Sequence, residues 1–222
     1  MDLAIHKLGL VDYERAYTLQ KKLLEKRQQD EIGDTLLLLE HPPVITLGKR
    51  GRDTDVLVSP DILAKMGVAV CEIERGGEAT YHGPGQIVGY MFIDLAGHGK
   101  DIRRFIRNLE EVFIQLLDQE YGITAGRDTE HTGVWVGDTK ITAIGIAIRK
   151  GVTMHGFAFN VNTNLDHFKW IVPCGIRDKG VTSLQMLTGE QQEMDKVIDG
   201  VARSFCRVYG YTPKEEPYVI TP

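Results

Sequence analysis

The chain has 222 residues, of which 42% are hydrophobic and 26% are charged, a composition typical of one soluble domain with a sizeable core. Its 26 basic and 31 acidic residues give a net charge of −5. This balance argues against broad nucleic-acid binding, because neutralising phosphates requires a basic surface. We therefore expect no nucleic-acid partner. No apolar run is long enough to span a bilayer, so no membrane segment is expected either.

The first residues lack the charged start and long apolar stretch of a secretory signal and begin instead like a strand. Three widely separated cysteines without a Cys-x-x-Cys pair supply neither a disulfide framework nor a zinc knuckle. The seven histidines show no metal-ligand spacing. The sequence therefore predicts a cytoplasmic protein with reduced thiols, no metal and no cofactor.

The first half of the chain alternates helices and extended pieces. Asp12 can cap a helix whose apolar residues recur at helical spacing, and Ser59-Pro60-Asp61 has the pattern of a second, short helix start. The expected strands of this half are 35–39, 44–47, 68–74 and 87–95. The segment 75–86 between the last two is read as a glycine-rich loop.

Two amphipathic helices and a meander of hairpins make up the second half. Asp101 caps the clearest helix, with Ile102 in its buried stripe and Gly122 at its end, and a final helix stops at Gly210 before a proline-containing tail. The expected strands are 134–136, 140–148 and 153–161. Neighbouring hairpins mixed with helices predict an α+β fold with a mixed or antiparallel sheet and flanking helices. We expect one domain over 1–222, since no repeat or linker divides the chain.

The segment 75–86, Arg-Gly-Gly-Glu-Ala-Thr-Tyr-His-Gly-Pro-Gly-Gln, contains four glycines in twelve residues. Such a composition suits backbone that wraps closely around a ligand. It matches neither the dinucleotide-binding fingerprint nor the phosphate-binding loop, so it does not imply a nucleotide. A tight hairpin loop without a ligand is the alternative.

Lys140 stands at the start of an almost wholly apolar strand. Partial desolvation there favours the neutral amine and would let it act as a base, although an exposed lysine at a hairpin end has the same pattern. In the next strand, Gly156 and Ala158 share a face and leave room for a narrow channel. His155 is interpreted as a hydrogen-bonded structural residue.

Cys174 lies in the turn Val-Pro-Cys-Gly, where the proline fixes the backbone and the glycine permits close approach to a ligand. A held and reachable thiol of this kind suggests a nucleophile, and a purely structural turn is the alternative. Cys71 and Cys206 lie in regular strand and helix patterns and are expected to fill the core or its margin.

Four motifs follow one another along the chain: the glycine-rich segment 75–86, Lys-Ile-x-Ala-Ile-Gly at 140–145, His-Gly-Phe-Ala at 155–158 and Pro-Cys-Gly-Ile at 173–176. In this order they resemble the octanoyltransferases of lipoate biosynthesis. The resemblance runs from Glu40 to Leu184 and includes the first helix, so it covers nearly the whole chain.

The resemblance implies a fold similar to the catalytic domain of biotin and lipoate protein ligases. It implies transfer of an octanoyl group from acyl carrier protein to a specific lysine of lipoyl domains in oxo-acid dehydrogenase complexes and of the glycine cleavage H protein. Cys174 would carry the acyl group as a thioester, and Lys140 would lower its pKa and shuttle protons. The residues matching the family's substrate-binding segments are Arg75, Gly76, Gly77, Glu78, Ala79, Thr80, Tyr81, His82, Ala143, Ile144, Gly145, Gly156, Phe157 and Ala158.

Three other functions compete with this one. An ATP-dependent lipoate or biotin ligase would use the same fold and leave Cys174 incidental, and an amidotransferase would move octanoyl between lipoyl proteins through a cysteine. A non-catalytic acyl- or protein-binding module would lack the chemistry altogether. We also expect the basic residues of 49–52, with Arg149 and Lys150, to help dock an acidic carrier protein, ordinary solvated loops being the alternative.

Overall fold

Two β-sheets and five α-helices form the computed structural model, which describes residues 1–172 and 179–215. The strands within those ranges are β1 Asp2–Leu10, β2 Thr35–Glu40, β3 Val44–Leu47, β4 Ala69–Glu72, β5 Ala79–His82, β6 Gln86–Phe92, β7 Gly126–Arg127, β8 Gly133–Val136, β9 Thr139–Arg149, β10 Val152–Asn160, β11 Gly180–Val181 and β12 Thr212–Glu215. The helices are α1 Tyr13–Gln28, α2 Pro60–Lys65, α3 Ile102–Tyr121, α4 Leu184–Thr188 and α5 Met194–Tyr209. The predicted α+β class with a mixed sheet is confirmed.

The larger sheet has the strand order β12-β1-β2-β6-β10-β9-β8-β7, and β11 pairs with β9 beside that path. Along this path, β2, β6, β10, β9, β8 and β7 pair antiparallel with one another. Strand β1 runs parallel to both β2 and β12, and β11 runs parallel to β9. The strands β7 to β10 follow one another in the sheet, which confirms the predicted meander of hairpins. The smaller sheet has the order β4-β3-β5.

Helices cover both faces of the larger sheet. On one face α3 and α5 pack against each other and bury the main core, to which the sheet contributes Ile141, Phe157 and Phe159. On the other face α1 packs against β10 and β6, around Met154 and Val88. The smaller sheet has its own apolar cluster with α2. Strand β10 is buried along its whole length between these layers, whereas most of β9 is half-buried.

The helix boundaries follow their predicted capping residues. Asp12 Oδ1 accepts hydrogen bonds from the amides of Glu14 and Arg15, and Asp101 Oδ1 accepts one from Arg104. Helix α3 ends at Gly122 with a positive φ, as predicted. Ile102 is a departure: it is 45% exposed, because at the first helical position it lies beyond the edge of the core.

Three strand predictions need correction. The segment 75–86, read as a loop, contains β5, which pairs antiparallel with β3 along its whole length. The proline-containing tail includes β12, which pairs with β1 at the edge of the sheet, where Pro213 is tolerated because an edge strand leaves half of its amides outside the ladder. The strand expected to reach Leu95 ends at Phe92, since Asp94 caps a short turn through its Oδ1.

No helix in residues 1–172 or 179–215 is both long and apolar enough to cross a membrane.

Candidate active site

A cleft lies between the two sheets. Strands β6, β10 and β9 of the larger sheet form its floor, and β5 with the glycine-rich segment before it forms its roof. It encloses about 500 Å³, part of which is open to solvent. The residues lining it are Tyr13, Ile73, Arg75, Gly76, Gly77, Thr80, His82, Val88, Tyr90, Ala143, Ile144, Gly145, His155, Gly156, Phe157 and Ala158.

Most of the residues predicted to bind substrate come together here. Eleven of the fourteen line the cleft: Arg75, Gly76, Gly77, Thr80, His82, Ala143, Ile144, Gly145, Gly156, Phe157 and Ala158. The other three have different surroundings, because side chains alternate along β5. Ala79 and Tyr81 pack into the core of the smaller sheet, and Glu78 accepts the amide of Gly48 through its carbonyl. Ile144 and Phe157 direct their side chains into the main core, so they present backbone to the cleft.

The roof of the cleft is tied to the smaller sheet by Arg75, which is 7% exposed. Its Nη2 donates to the carbonyl and the hydroxyl of Thr46 at 2.8 and 2.9 Å, and its Nη1 donates to the carbonyl of Gly76 at 3.0 Å. The amides of Lys49 and Arg50 donate to the carbonyls of Arg75 and Gly77. The glycine-rich roof is therefore hydrogen-bonded along its length and holds a buried positive charge beside the cleft.

At two glycines of the floor, the backbone of a neighbouring segment approaches closely. A Cβ at Gly156 would lie 2.2 Å from the carbonyl oxygen of Gly89 in the adjacent strand. A Cβ at Gly145 would lie 3.1 Å from the carbonyl oxygen of Gly76 and 3.4 Å from Cδ of Arg75. Both glycines line the cleft, but their missing side chains also allow β6 and the roof to approach so closely.

Part of the cleft lining is polar and aromatic, formed by Tyr13, His82, Tyr90 and His155. Behind it, His41 Nδ1 donates to the carbonyl of Val11 at 2.6 Å, which leaves Nε2 to accept from the Tyr90 hydroxyl at 2.7 Å. Burial lowers the pKa of His41 and of His155 to about 4, and that of His82 to about 3. At neutral pH the imidazoles of His82 and His155 in the cleft, and that of His41 behind them, are therefore neutral.

A second cavity adjoins the cleft, and Thr80, Ala143 and Ala158 line both. Lys140, which is half-buried, lies in this second cavity with its Nζ 4.8 Å from the centroid of the Trp135 ring. The lysine is thus half-buried against an indole, and its role as a base stays a prediction.

The backbone of Lys140 is held on both sides. Lys140 pairs with Trp135 in β8 and with Val181 in β11, and its carbonyl accepts a hydrogen bond from the amide of Thr182 at 3.0 Å. Lys179 also contacts Trp135, with Nζ 5.0 Å from the ring centroid, and forms an ion pair with Asp128.

Cys174, the predicted nucleophile, lies outside the described residues, in 173–178. The chain on either side of that segment reaches the second cavity: Phe168 before it and Lys179 after it are among the lining residues. On the N-terminal side of that segment, the amide of Val172 donates to the carbonyl of Asp55 at 2.8 Å.

Curated relatives decide the family. An octanoyltransferase of Caldicellulosiruptor saccharolyticus is 58% identical over 95% of this chain and 90% of its own. An octanoyltransferase of Desulforamulus reducens is 54% identical over 96% of this chain and 94% of its own. The chain belongs to the octanoyltransferase family. It is accordingly an acyltransferase, and residues 12–206 match the pattern of the lipoyl protein ligase A/B catalytic domain.

The octanoyltransferase fold is shared with ligases of known structure. A crystal structure of lipoate-protein ligase A bound with ATP superposes with a TM-score of 0.77 over 99% of this chain and 90% of the ligase, at 19% identity. At that identity the likeness concerns the fold alone.

The sequence motifs of the octanoyltransferase family missed several lining residues of the cleft. Tyr13, Val88 and Tyr90 belong to ordinary helix and strand patterns, and nothing in the sequence distinguishes them from core residues. The sequence predicts a structural role for His155, although its position in the strand carries a signal. Regular alternation would bury this imidazole on the apolar face of Phe157 and Phe159, a conflict that points to irregular backbone.

Proposed function

We propose that this octanoyltransferase takes an octanoyl group from acyl carrier protein onto Cys174 and passes it to a lysine of a lipoyl domain. The position of Lys140 carries the proposal. It lies in a cavity that shares Thr80, Ala143 and Ala158 with the larger cleft, so a base and a buried binding site for a chain adjoin each other. One residue separates Cys174 from Val172 and four separate it from Lys179, which lines the same cavity as Lys140.

In the first step the thiol proton of Cys174 passes to the neutral amine of Lys140, and the thiolate attacks the thioester carbonyl of the carrier. The carbon–sulfur bond to the carrier breaks, and the departing thiolate takes the proton back from the Lys140 ammonium. An unperturbed cysteine is only a few per cent thiolate near neutrality, so the proton acceptor accelerates the attack. Exchange between two thiols is close to isoenergetic, so this step needs no ATP.

In the second step the amine of the lipoyl-domain lysine attacks the acyl–Cys174 thioester. Lys140 takes the proton that the attacking nitrogen must lose, and the Cys174 sulfur leaves as a thiolate that recovers that proton. The amide product lies downhill from the thioester. Backbone amides near the scissile carbonyl would stabilise the oxyanion, where one donor is worth about 3 kcal/mol.

The acyl chain is proposed to lie along the floor of the cleft. Val88, Ala143 and Ala158 provide apolar contact there, and Ile73 adds contact from the side of the smaller sheet. Each methylene buried contributes about 0.8 kcal/mol. Lys140 lies in the cavity that adjoins Ala143 and Ala158, and His155 lies three strand residues from Ala158 along β10, which gives the site a direction. This arrangement supports binding of a medium-length acyl group whose carboxyl carbon points toward Lys140.

The proposed partners are an acidic acyl carrier protein and the lipoyl domains of oxo-acid dehydrogenases and of the glycine cleavage H protein. Lys49 and Arg50 are exposed on a loop hydrogen-bonded to the roof of the cleft, which supports their role in docking the carrier. We propose one catalytic domain over 1–222. Cys71 and Cys206 are free thiols, which supports a reducing compartment such as the cytoplasm.

Intact-protein mass spectrometry tests the proposal. The protein is incubated with octanoyl carrier protein without ATP, and the parent is compared with Cys174→Ala. Cys71→Ala is the matched control, because Cys71 is a half-buried thiol whose pKa is raised by burial. We expect one octanoyl adduct on the parent and on the control and none on Cys174→Ala.

An adduct that persists in Cys174→Ala would remove Cys174 as the nucleophile. Acylation of the lipoyl domain only in the presence of ATP and free octanoate would instead favour the ligase. The ligase shares the fold, as the ATP-bound neighbour indicates, but it would proceed through an octanoyl adenylate. The two chemistries are thus separated by the co-substrate that each requires.

A further inference from the structure

His155 has a backbone conformation that is unusual inside a strand. Its φ is +61°, in the left-handed region that residues other than glycine rarely adopt, and the residue lies in the middle of β10. Regular alternation would direct its ring to the same face as Phe157 and Phe159, which pack in the main core. Instead the ring stacks on Tyr17 of α1 at 6.0 Å, on the cleft side of the sheet. The strained residue therefore brings an imidazole into the cleft.

The surroundings of His155 hold it in this conformation. Its amide donates to Oε1 of Gln20 at 3.2 Å, and its ring lies edge-on to Tyr90 at 6.3 Å between centroids. The residue is 2% exposed, and its Nε2 has no hydrogen-bond partner within the described part of the chain. The cleft is therefore bordered here by an imidazole whose buried Nε2 has no partner, and a hydrocarbon chain that displaced the ring could not satisfy this nitrogen.

The strand register gives the distance from the second cavity to this imidazole. Ala143 and Ala158, which line both cavities, face each other across β9 and β10, and His155 faces Ile146 three residues further along. Three residues of a β-strand span about 10 Å along its axis. An extended eight-carbon chain is about 9 Å long, since a carbon–carbon bond of about 1.5 Å advances a zigzag chain by about 1.3 Å. The chain and the space available to it match in length.

We propose that His155 sets the length of the acyl chain that the cleft accepts, by closing the cleft with a polar wall about eight carbons from Ala143. The inference rests on the proposed function, since it takes an acyl chain as the occupant of the cleft. Longer chains would have to displace the His155 ring from its stacking on Tyr17 and bring methylenes against its unpartnered Nε2. Burial keeps the pKa of His155 at about 4, so the wall is neutral at neutral pH.

The test compares chain-length profiles of His155→Gly and the parent. Glycine removes the ring and accepts the positive φ. Lys100→Gly is the matched control, because Lys100 also has a positive φ, of +57°, but lies in an exposed turn just before α3 and outside the proposed docking surface. Each protein is offered an equimolar mixture of hexanoyl, octanoyl, decanoyl and dodecanoyl carrier protein, and the adducts are counted by mass spectrometry.

We expect the decanoyl-to-octanoyl ratio of His155→Gly to rise at least about fourfold, the factor for one newly accommodated methylene at about 0.8 kcal/mol. The ratio for Lys100→Gly should equal that of the parent. An unchanged ratio in a folded, acylated His155→Gly protein would overturn the proposal, and would mean that His155 only packs α1 onto the sheet. If His155→Gly does not fold, His155→Asn replaces it, because asparagine tolerates positive φ and is smaller.

A second measurement separates failure of this proposal from failure of the proposed function. Thermal stabilisation by free octanoate and free decanoate is recorded for Cys174→Ala and for the double variant with His155→Gly, where no acyl transfer is involved. A shift of preference toward decanoate in the double variant supports the length-setting role even if no protein forms an adduct. Equal preference in both proteins overturns that role, whatever the mass spectra show.

Discussion

Lowering the pH from 7 to 5 should destabilise this protein strongly, because three buried histidines must stay neutral in the folded state. His41, His82 and His155 have pKa values lowered by burial to about 4, 3 and 4. In the unfolded chain a histidine has a pKa of about 6.5. Below that pH the unfolded chain binds protons that the folded protein rejects, so stability is complete above pH 6.5 and is lost as the pH falls toward 4.

The expected size of this effect follows from the two pKa values. At pH 5 a histidine with pKa values of about 6.5 unfolded and 4 folded favours unfolding by about 2 kcal/mol. Three such residues titrating independently give about 6 kcal/mol, comparable to the whole stability of many domains. Aspartates and glutamates contribute little in this window, because their ordinary pKa values lie near 4.

Urea unfolding at pH 7, 6 and 5, followed by tryptophan fluorescence, measures the effect. His41→Gln provides the comparison: it should be less stable than the parent at pH 7 because it disturbs the bonds to Val11 and Tyr90, but should lose about 2 kcal/mol less between pH 7 and 5. Equal stability of the parent at pH 7 and pH 5, within about 1 kcal/mol, would refute the assignment of buried neutral imidazoles.

Three further outcomes are expected. Lys140→Met should slow acyl-adduct formation by at least about 100-fold at pH 7 with the circular dichroism spectrum unchanged, and a rate within tenfold of the parent would exclude Lys140 as the base. Gly156→Ala should lower the free energy of unfolding by about 1–3 kcal/mol in urea, because its Cβ would meet the Gly89 carbonyl at 2.2 Å; an unaffected midpoint would contradict that close contact. Reversing the charges of Lys49 and Arg50 should raise KM for the carrier and weaken its salt dependence, and an unchanged, salt-insensitive KM would reject their docking role.

Elements with strong local signals could be predicted from the sequence. The hairpins around Lys140 follow from a two-residue turn and an apolar run, and α3 follows from its caps at Asp101 and Gly122. Strand β5 was hidden in a glycine-rich segment, because its pairing with β3 depends on residues more than thirty positions away. β12 was hidden because Pro213 is acceptable only at an edge, and a local pattern does not reveal which strands lie there.

The candidate site was predictable to the same extent. Motif resemblance brought together Arg75, Gly145 and Ala158, which line one cleft. It could not separate Tyr81 from Thr80, since the choice of face depends on how β5 pairs. It also could not place His155, because a single positive φ moves its ring across the sheet. Long-range pairing and one irregular dihedral thus decide what the local sequence leaves open.

The most direct test of the proposed thioester intermediate begins with the isolated octanoylated protein. All carrier protein and ATP are removed, and a lipoyl domain is added. Quenched samples are analysed by mass spectrometry over the first turnover. We predict that the octanoyl group leaves Cys174 and appears on one lysine of the lipoyl domain, at a rate no slower than overall turnover. An octanoylated protein that stays unchanged, while the complete mixture modifies the lipoyl domain, would contradict a thioester on Cys174 as the intermediate.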